Sequence, residues 1–204
     1  GTLVDTLQSI AAAGNYALAQ LGRPVIPVPR YRYLAGQGAR WLMEEALGPE
    51  HRHLATRGLA LLKQRQQEQG LAQVHPYPGI PELLTTLQTR GIRMAILSNK
   101  PHPAVEQVVR QVLGPWHFDG VLGHHEHGPL KPDPAGARAL AQQLGIAPEQ
   151  WLYVGDTRVD METARAAGMF SAGVTWGFRE EAELRSAGAG AIVHHPQELL
   201  TLLG

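Results

Sequence analysis

The sequence predicts an α/β fold: a doubly wound parallel sheet with an all-helical block inserted near its N-terminal end. Three observations predict it. Beyond residue 74, short apolar runs alternate with helical patterns, as a parallel sheet covered by helices on both faces requires. From about residue 8 to residue 73, apolar residues recur only at helical spacing and no strand pattern occurs. The stretch 151–160 reads as a strand buried on both faces that stops at a carboxylate and turns at once into a helix.

The chain has 204 residues, enough for one sizeable core or for a core with a smaller insertion. Its 18 basic and 18 acidic residues cancel and no basic stripe breaks the balance, which argues against a nucleic-acid partner. Without cysteine there are no disulfides, no thiolate chemistry and no zinc-thiolate site. No apolar run has membrane-spanning length and the N-terminus lacks a signal pattern, so the expectation is a cytoplasmic protein without a membrane partner. Whether it is a monomer or a homodimer is open. Lysine occurs only at Lys63, Lys100 and Lys131.

Taken in order, residues 1–6 are turn-like and lead into a helix marked by Leu7, Ile10, Leu18 and Leu21. A loop with Pro24, Pro27 and Pro29 follows, carrying Arg23, Arg30 and Arg32. Ala39, Leu42, Met43, Ala46 and Leu47 mark a second helix that Gly48-Pro49 ends, and 51–69 is helical again. The proline-punctuated linker 74–81 returns the chain to the α/β part. There the pattern predicts helix 81–90, strand 92–97, helix 103–113, strand 119–122 and helix 134–144, with Asp133 as cap and Gly145 as stop. Strand 151–154, helix 158–167, strand 171–175, a short helix 180–186, strand 190–193 and a closing helix from 196 complete it.

Three strand ends carry polar groups. The first runs into Ser98-Asn99-Lys100-Pro101, where a hydroxyl and turn N–H groups can cradle a phosphate oxygen. Leu130-Lys131-Pro132-Asp133-Pro134 holds one lysine between an apolar residue and a stiff helix start, a geometry suited to clamping a phosphoryl group. At the third, Thr157 and Asp160 have capping-box spacing, and Asp156 and Asp160 are placed to hold a hard cation. Each also has a plain structural reading: an ordinary serine after a strand, a solvated lysine, and carboxylates that cap a helix and complement its dipole.

As a set, Ser98, Lys131, Asp156 and Asp160 are more specific than any one of them. The order resembles the haloacid dehalogenase-like hydrolase superfamily, whose later motifs read strand-Ser/Thr, Lys-Pro and Gly-Asp-x-x-x-Asp. The likeness covers essentially the whole chain. Tyr77-Pro-Gly-Ile-Pro-Glu-Leu-Leu84, Ser98-Asn-Lys-Pro101, Tyr153-Val-Gly-Asp156, Ala164-Arg-Ala-Ala-Gly168 and Val174-Thr-Trp-Gly177 are similar to its phosphoglycolate phosphatase branch. The resemblance implies a Rossmann-like core made of residues 1–7 and 74–204, with a helical cap domain at 8–73. It implies Mg²⁺ as cofactor and a small phosphomonoester as substrate, 2-phosphoglycolate first, pyrophosphate or a sugar phosphate next.

By the same resemblance Ser98, with the backbone of Asn99, binds the phosphoryl oxygens, and Thr2 contributes from the first motif. Lys131 stabilises the charge shared by nucleophile and phosphate. Asp156 ligates the metal, and Asp160 supports it through water or orients Lys131. Arg40, between flexible glycines and the cap helix, is the candidate counter-charge for a substrate carboxylate. Trp41 is expected in the core of the cap.

The departure lies at the first motif. The family reads Asp-x-Asp-Gly-Thr-Leu-Val-Asp-Thr there, and Gly1-Thr-Leu-Val-Asp-Thr6 matches only its tail. The first aspartate serves the family as nucleophile and metal ligand, the second as general acid and base, and Asp5 stands in for neither. The expectation is therefore that residues upstream of Gly1 complete the site. The rival is a phosphatase-fold protein that binds a phosphorylated ligand or partner without turning it over. Within the enzymes, a dehalogenase or phosphomutase is a further alternative. The run His124-His125-Glu126-His127 raises a transition-metal site as another possibility, against a solvated loop.

Overall fold

The computed structural model describes residues 1–203. Its contacts divide the chain into two compact units, residues 5–75 and residues 1–4 with 76–204. The short strands β1 (Val4–Asp5) and β2 (His75–Pro76) lie where the chain passes from one unit to the other.

The unit 5–75 is all helical. The Asp5 carboxylate accepts the Leu7 N–H at 2.9 Å and opens α1 (Leu7–Gln20). A 3-10 turn (Val28–Arg30) and a one-turn helix α2 (Tyr31–Leu34) precede α3 (Ala39–Leu47). Another 3-10 segment (Pro49–Leu54) leads into α4 (Ala55–Gln69). Ala13, Ala17, Leu18, Tyr31, Met43 and Leu62 form its core. Trp41 is half-buried and outside this cluster, because the helix turns Leu42, Met43 and Leu47 inward instead.

The proline-rich stretch predicted as plain loop is more ordered than that, and Asn15 is the reason. Its side-chain oxygen accepts the Ile26 N–H at 2.8 Å and the Tyr31 hydroxyl at 2.9 Å, while its NH₂ donates to the Ile26 carbonyl at 2.9 Å. Tyr31 is thereby drawn in to zero exposure against Gly14, where an added Cβ would stand 2.5 Å from its ring. Burial pushes the Tyr31 hydroxyl pKa up to about 12.

In the second unit, helices and strands alternate: α5 (Ile80–Thr89), β3 (Ala95–Pro101), α6 (His102–Val112), β4 (Gly120–His124) and α7 (Ala135–Leu144). Then follow β5 (Leu152–Gly155), α8 (Arg158–Ala167), β6 (Phe170–Val174), α9 (Glu181–Ser186) and β7 (Ala191–Val193). All pairings among β3 to β7 are parallel: β3 with β4 (Leu97 opposite Leu122), and β5, β6 and β7 in that order. Side chains alternate between two faces. Ile96, Leu152, Val154 and Ala172 join Ile80, Leu84, Leu113 and Leu199 on one side. Leu97, Trp151 and Tyr153 join Ala137, Ala141, Ala164 and Ala167 on the other. This is the doubly wound, Rossmann-like layering, with β3 and β5 contributing to the same two cores.

The parallel sheet is present as two ladders, and β3 and β5 each stand at the end of theirs among the described residues. Two details differ from the sequence reading. The strand expected at 92–97 starts at Ala95, because the Asp119 carboxylate takes the Met94 N–H at 3.0 Å in place of a ladder partner. The closing helix is a 3-10 segment (Pro196–Thr201).

Replacing Asn15 by alanine leaves the Ile26 N–H and carbonyl and the Tyr31 hydroxyl without this partner. A loss of about 1–3 kcal/mol is expected, read as a lower denaturation midpoint of the 5–75 unit; an unchanged midpoint would show that Asn15 does not hold the segment.

Candidate active site

Parallel strands present their carboxyl ends along one edge, where open α/β sheets bind ligands. Four segments meet there: the end of β3, the loop 128–134 before α7, the β5–α8 turn, and residues 1–2 with the loop after β6.

The Lys131 ammonium donates to Asp160 Oδ1 at 2.7 Å and stands 3.4 Å from the Leu97 carbonyl of β3. Both side chains are nearly enclosed, 13% and 7% exposed. Asn99 fixes the backbone of this lysine: its side-chain oxygen accepts the Lys131 N–H at 2.8 Å and its NH₂ donates to the Lys131 carbonyl at 3.1 Å. The Lys131–Pro132 peptide is cis. Asp160 is held in turn by Thr157, whose N–H and hydroxyl donate to Oδ2 at 3.1 and 2.7 Å. Gly155 makes room for it, since a Cβ there would meet Asp160 Cβ at 2.1 Å.

Burial by itself would push both charges toward neutrality, but the pair outweighs it. The Lys131 pKa lies above the ordinary lysine value because Asp160, then Tyr153, counter the desolvation. The Asp160 carboxyl lies below its ordinary range because the Lys131 charge and hydrogen bond and the Thr157 hydroxyl do the same. Beside them burial raises the Tyr153 hydroxyl to about 12.

Asp156, 4% exposed, is supported differently. Its Oδ1 accepts the Thr2 hydroxyl at 2.8 Å and its Oδ2 the Phe178 N–H at 2.9 Å, while the Gly1 amine stands 3.9 Å from Oδ1. Trp176 donates its ring N–H to the Thr2 carbonyl at 2.9 Å and fixes that residue. A Cβ on Gly177 would come within 2.3 Å of Asp156 Cβ, so glycine there lets the loop close over the carboxylate. Thr2 was expected at the phosphate; its hydroxyl is given to Asp156.

Magnesium is commonly held by one or two carboxylates plus waters and substrate phosphate oxygens. Asp156 suits that role: each oxygen accepts one hydrogen bond from a side chain or amide and keeps further lone-pair capacity. Asp160 suits it less, with Lys131 on one oxygen and Thr157 on the other. Among the described residues no cluster of three or more His, Cys, Asp or Glu is placed to hold a metal ion. The histidine run makes other contacts: His124 Nε2 lies 3.1 Å from the Gly128 carbonyl, and His125 packs on His102 with ring centres 4.5 Å apart.

Ser98 Oγ accepts the Lys100 N–H at 3.1 Å, which leaves its hydroxyl proton available to a ligand oxygen. Arg40 belongs to the other unit, where it is 59% exposed and stands 3.7 Å from Glu44 one helical turn on. The sequence reading assigned no task to Trp176, Gly177 and Phe178. The available signal was their place at the end of a strand parallel to and beside β5.

Asp160→Ala leaves a buried ammonium without its partner, and a loss of about 3–5 kcal/mol is expected. Asp160 has a depressed pKa, so its stabilising contribution is present above 3.8 and is lost as pH falls through the lower folded value. Lys131 has a raised pKa, so its contribution is full below 10.5 and is lost as pH rises through the higher folded value. The stability gap between wild type and Asp160→Ala should therefore be widest between these limits, and pH-dependent denaturation measures it; a gap that grows in acid would refute the pairing.

The chain matches the model of the haloacid dehalogenase-like hydrolases over residues 1–168. It is 32% identical over 206 residues to a phosphoglycolate phosphatase of Pseudomonas putida, covering 98% of this chain and 75% of that protein. It is 30% identical over 225 residues to the phosphoglycolate phosphatase of Escherichia coli, covering 100% of this chain and 89% of that one. A solved structure from Lactobacillus delbrueckii subsp. bulgaricus superposes with a TM-score of 0.94 at 28% identity, covering 100% and 94% of the two chains. A haloacid dehalogenase-like family protein from Streptococcus pneumoniae does so at 0.90 and 25%, with the same coverage. The chain thus belongs to the haloacid dehalogenase-like hydrolase family, in its phosphoglycolate phosphatase-like branch, as a phosphoric monoester hydrolase.

Proposed function

We propose that this protein is a Mg²⁺-dependent phosphatase that hydrolyses 2-phosphoglycolate through an aspartyl-phosphate. The observation that carries the reading is the ammonium of Lys131, fixed by Asn99 and Asp160 at the edge where Ser98 and Asp156 also lie. A rigid cation, a free hydroxyl proton and a buried carboxylate are the groups phosphoryl transfer asks of a protein, since positioning and charge neutralisation lower its barrier. The names of the similar proteins support 2-phosphoglycolate as substrate.

In this reading Ser98 donates its hydroxyl to a phosphoryl oxygen and Lys131 neutralises charge developing on the others. Asp160 keeps Lys131 protonated and aimed, a positioning role. Asp156 is the residue that would hold the metal, and a bound divalent cation supplies charge neutralisation at the phosphoryl oxygens. In the family the nucleophile is an aspartate of the first motif, whose tail this chain carries as Gly1–Thr6, with Gly1 beside Asp156. Its carboxylate attacks phosphorus as the alcohol leaves with a proton from a neighbouring acid, and water then releases inorganic phosphate.

In protein that carries the complete first motif, Asp156→Asn and Lys131→Ala should each lower Mg²⁺-dependent phosphate release by about a hundredfold or more. Chelation of the metal should abolish release and added Mg²⁺ restore it. Undiminished release by Asp156→Asn would sink the metal assignment, and tight phosphoglycolate binding without any turnover would favour the binding-protein reading.

A further inference from the structure

The loop after β6 closes over Asp156, and a carboxylate that the proposed chemistry does not use ties it down. At the near end of the loop the Thr175 N–H donates to the Val193 carbonyl at 3.1 Å. Phe178, which is buried, gives its N–H to Asp156 Oδ2 at 2.9 Å. The next residue, Arg179, is buried too, and its Nε stands 3.3 Å from Oε2 of Glu183 in the first turn of α9. The other oxygen of Glu183, Oε1, accepts the N–H of Arg158 at 3.2 Å, at the first position of α8 and two residues after Asp156. These contacts close a ring. Asp156 meets Phe178 by a hydrogen bond, Phe178 leads to Arg179 along the chain, Arg179 meets Glu183, Glu183 meets Arg158, and Arg158 leads back to Asp156. An exposed ion pair contributes little. Here the guanidinium is buried, and the carboxylate also takes an N–H at a helix N-terminus, where the helix favours negative charge.

We propose that Glu183 is a positioning residue for Asp156: by bridging Arg158 and Arg179 it keeps the Phe178 N–H on Oδ2 and so fixes how this carboxylate meets a divalent cation. The inference rests on the reading that Asp156 holds the metal, and adds what holds Asp156. Each oxygen of Asp156 accepts one neutral donor, so its aim depends on how firmly those donors are kept in place. Loss of the bridge loosens the Phe178 side and removes no group that touches Asp156. Glu181, two residues earlier on the same helix, carries the same charge but pairs with Arg185 at 2.7 Å, outside the ring.

Two readouts test the bridge in protein that carries the complete first motif: hydrogen exchange at the Phe178 amide, followed by NMR without metal, and the dissociation constant of Mg²⁺, measured calorimetrically without substrate. Wild type is compared with Glu183→Ala, Glu183→Gln, Glu181→Gln and Asp156→Asn at a temperature where denaturation curves show every variant folded. Glu183→Ala should speed exchange at Phe178 and weaken Mg²⁺ binding on the order of three- to tenfold, the net worth of one hydrogen bond. Glu183→Gln keeps an acceptor for the Arg158 N–H but not the charge facing Arg179, and should fall between. Glu181→Gln should match wild type in both readouts. Unchanged exchange in Glu183→Ala, unchanged Mg²⁺ affinity in it, or the same loss of affinity in Glu181→Gln overturns the assignment, the last by showing that only net charge matters. Mg²⁺ binding as tight in Asp156→Asn as in wild type, with Phe178 exchange still dependent on Glu183, would count against the metal reading of Asp156 and leave the bridge standing.

Discussion

The ion pair between Lys131 and Asp160 joins three segments that are far apart in the chain: the end of β3 through Asn99, the loop before α7, and the first turn of α8 through Thr157. Each partner is sheltered enough that its charge is tolerable only because the other is present. Moving any one of the three segments would strand a charge away from water. The pair therefore acts as a geometric constraint on the edge, and the aim of the lysine follows from it.

Asp156 and Asp160 look equivalent in sequence, four residues apart across a strand-helix turn, and the structure separates them. Asp160 points back at its own helix start and at Lys131, so both oxygens have strong donors. Asp156 is cradled by residues 1–2 and by the loop after β6, with one neutral donor on each oxygen. One carboxylate is suited to fixing a cationic side chain and the other to meeting a cation from solution. Gly155 and Gly177 are what let backbone come this close to them.

The two ladders of the second unit share both of their cores, yet β3 and β5 do not pair with each other. The Leu97 carbonyl of β3 is met by the Lys131 ammonium at 3.4 Å, so the end of this strand takes part in the site. No helix of the described residues is long and apolar enough to cross a membrane.

The sequence by itself determined the alternation of helix and strand, the helical block, and the set Ser98, Lys131, Asp156 and Asp160, because hydrophobic period and turn chemistry are local properties of the chain. It marked the strand ends, and in a parallel sheet strand ends lie along one edge. Tertiary structure decided what each residue does there. That Asn99 holds the Lys131 backbone, that the Thr2 hydroxyl serves Asp156, and that Trp176 and Phe178 complete its support are contacts across 32, 154 and up to 174 positions. It also decided that Asn15 orders a proline-rich stretch that looks like loop. A hydrogen bond needs its partner within about 3 Å, and no local pattern in a sequence specifies which distant residue the fold will bring there.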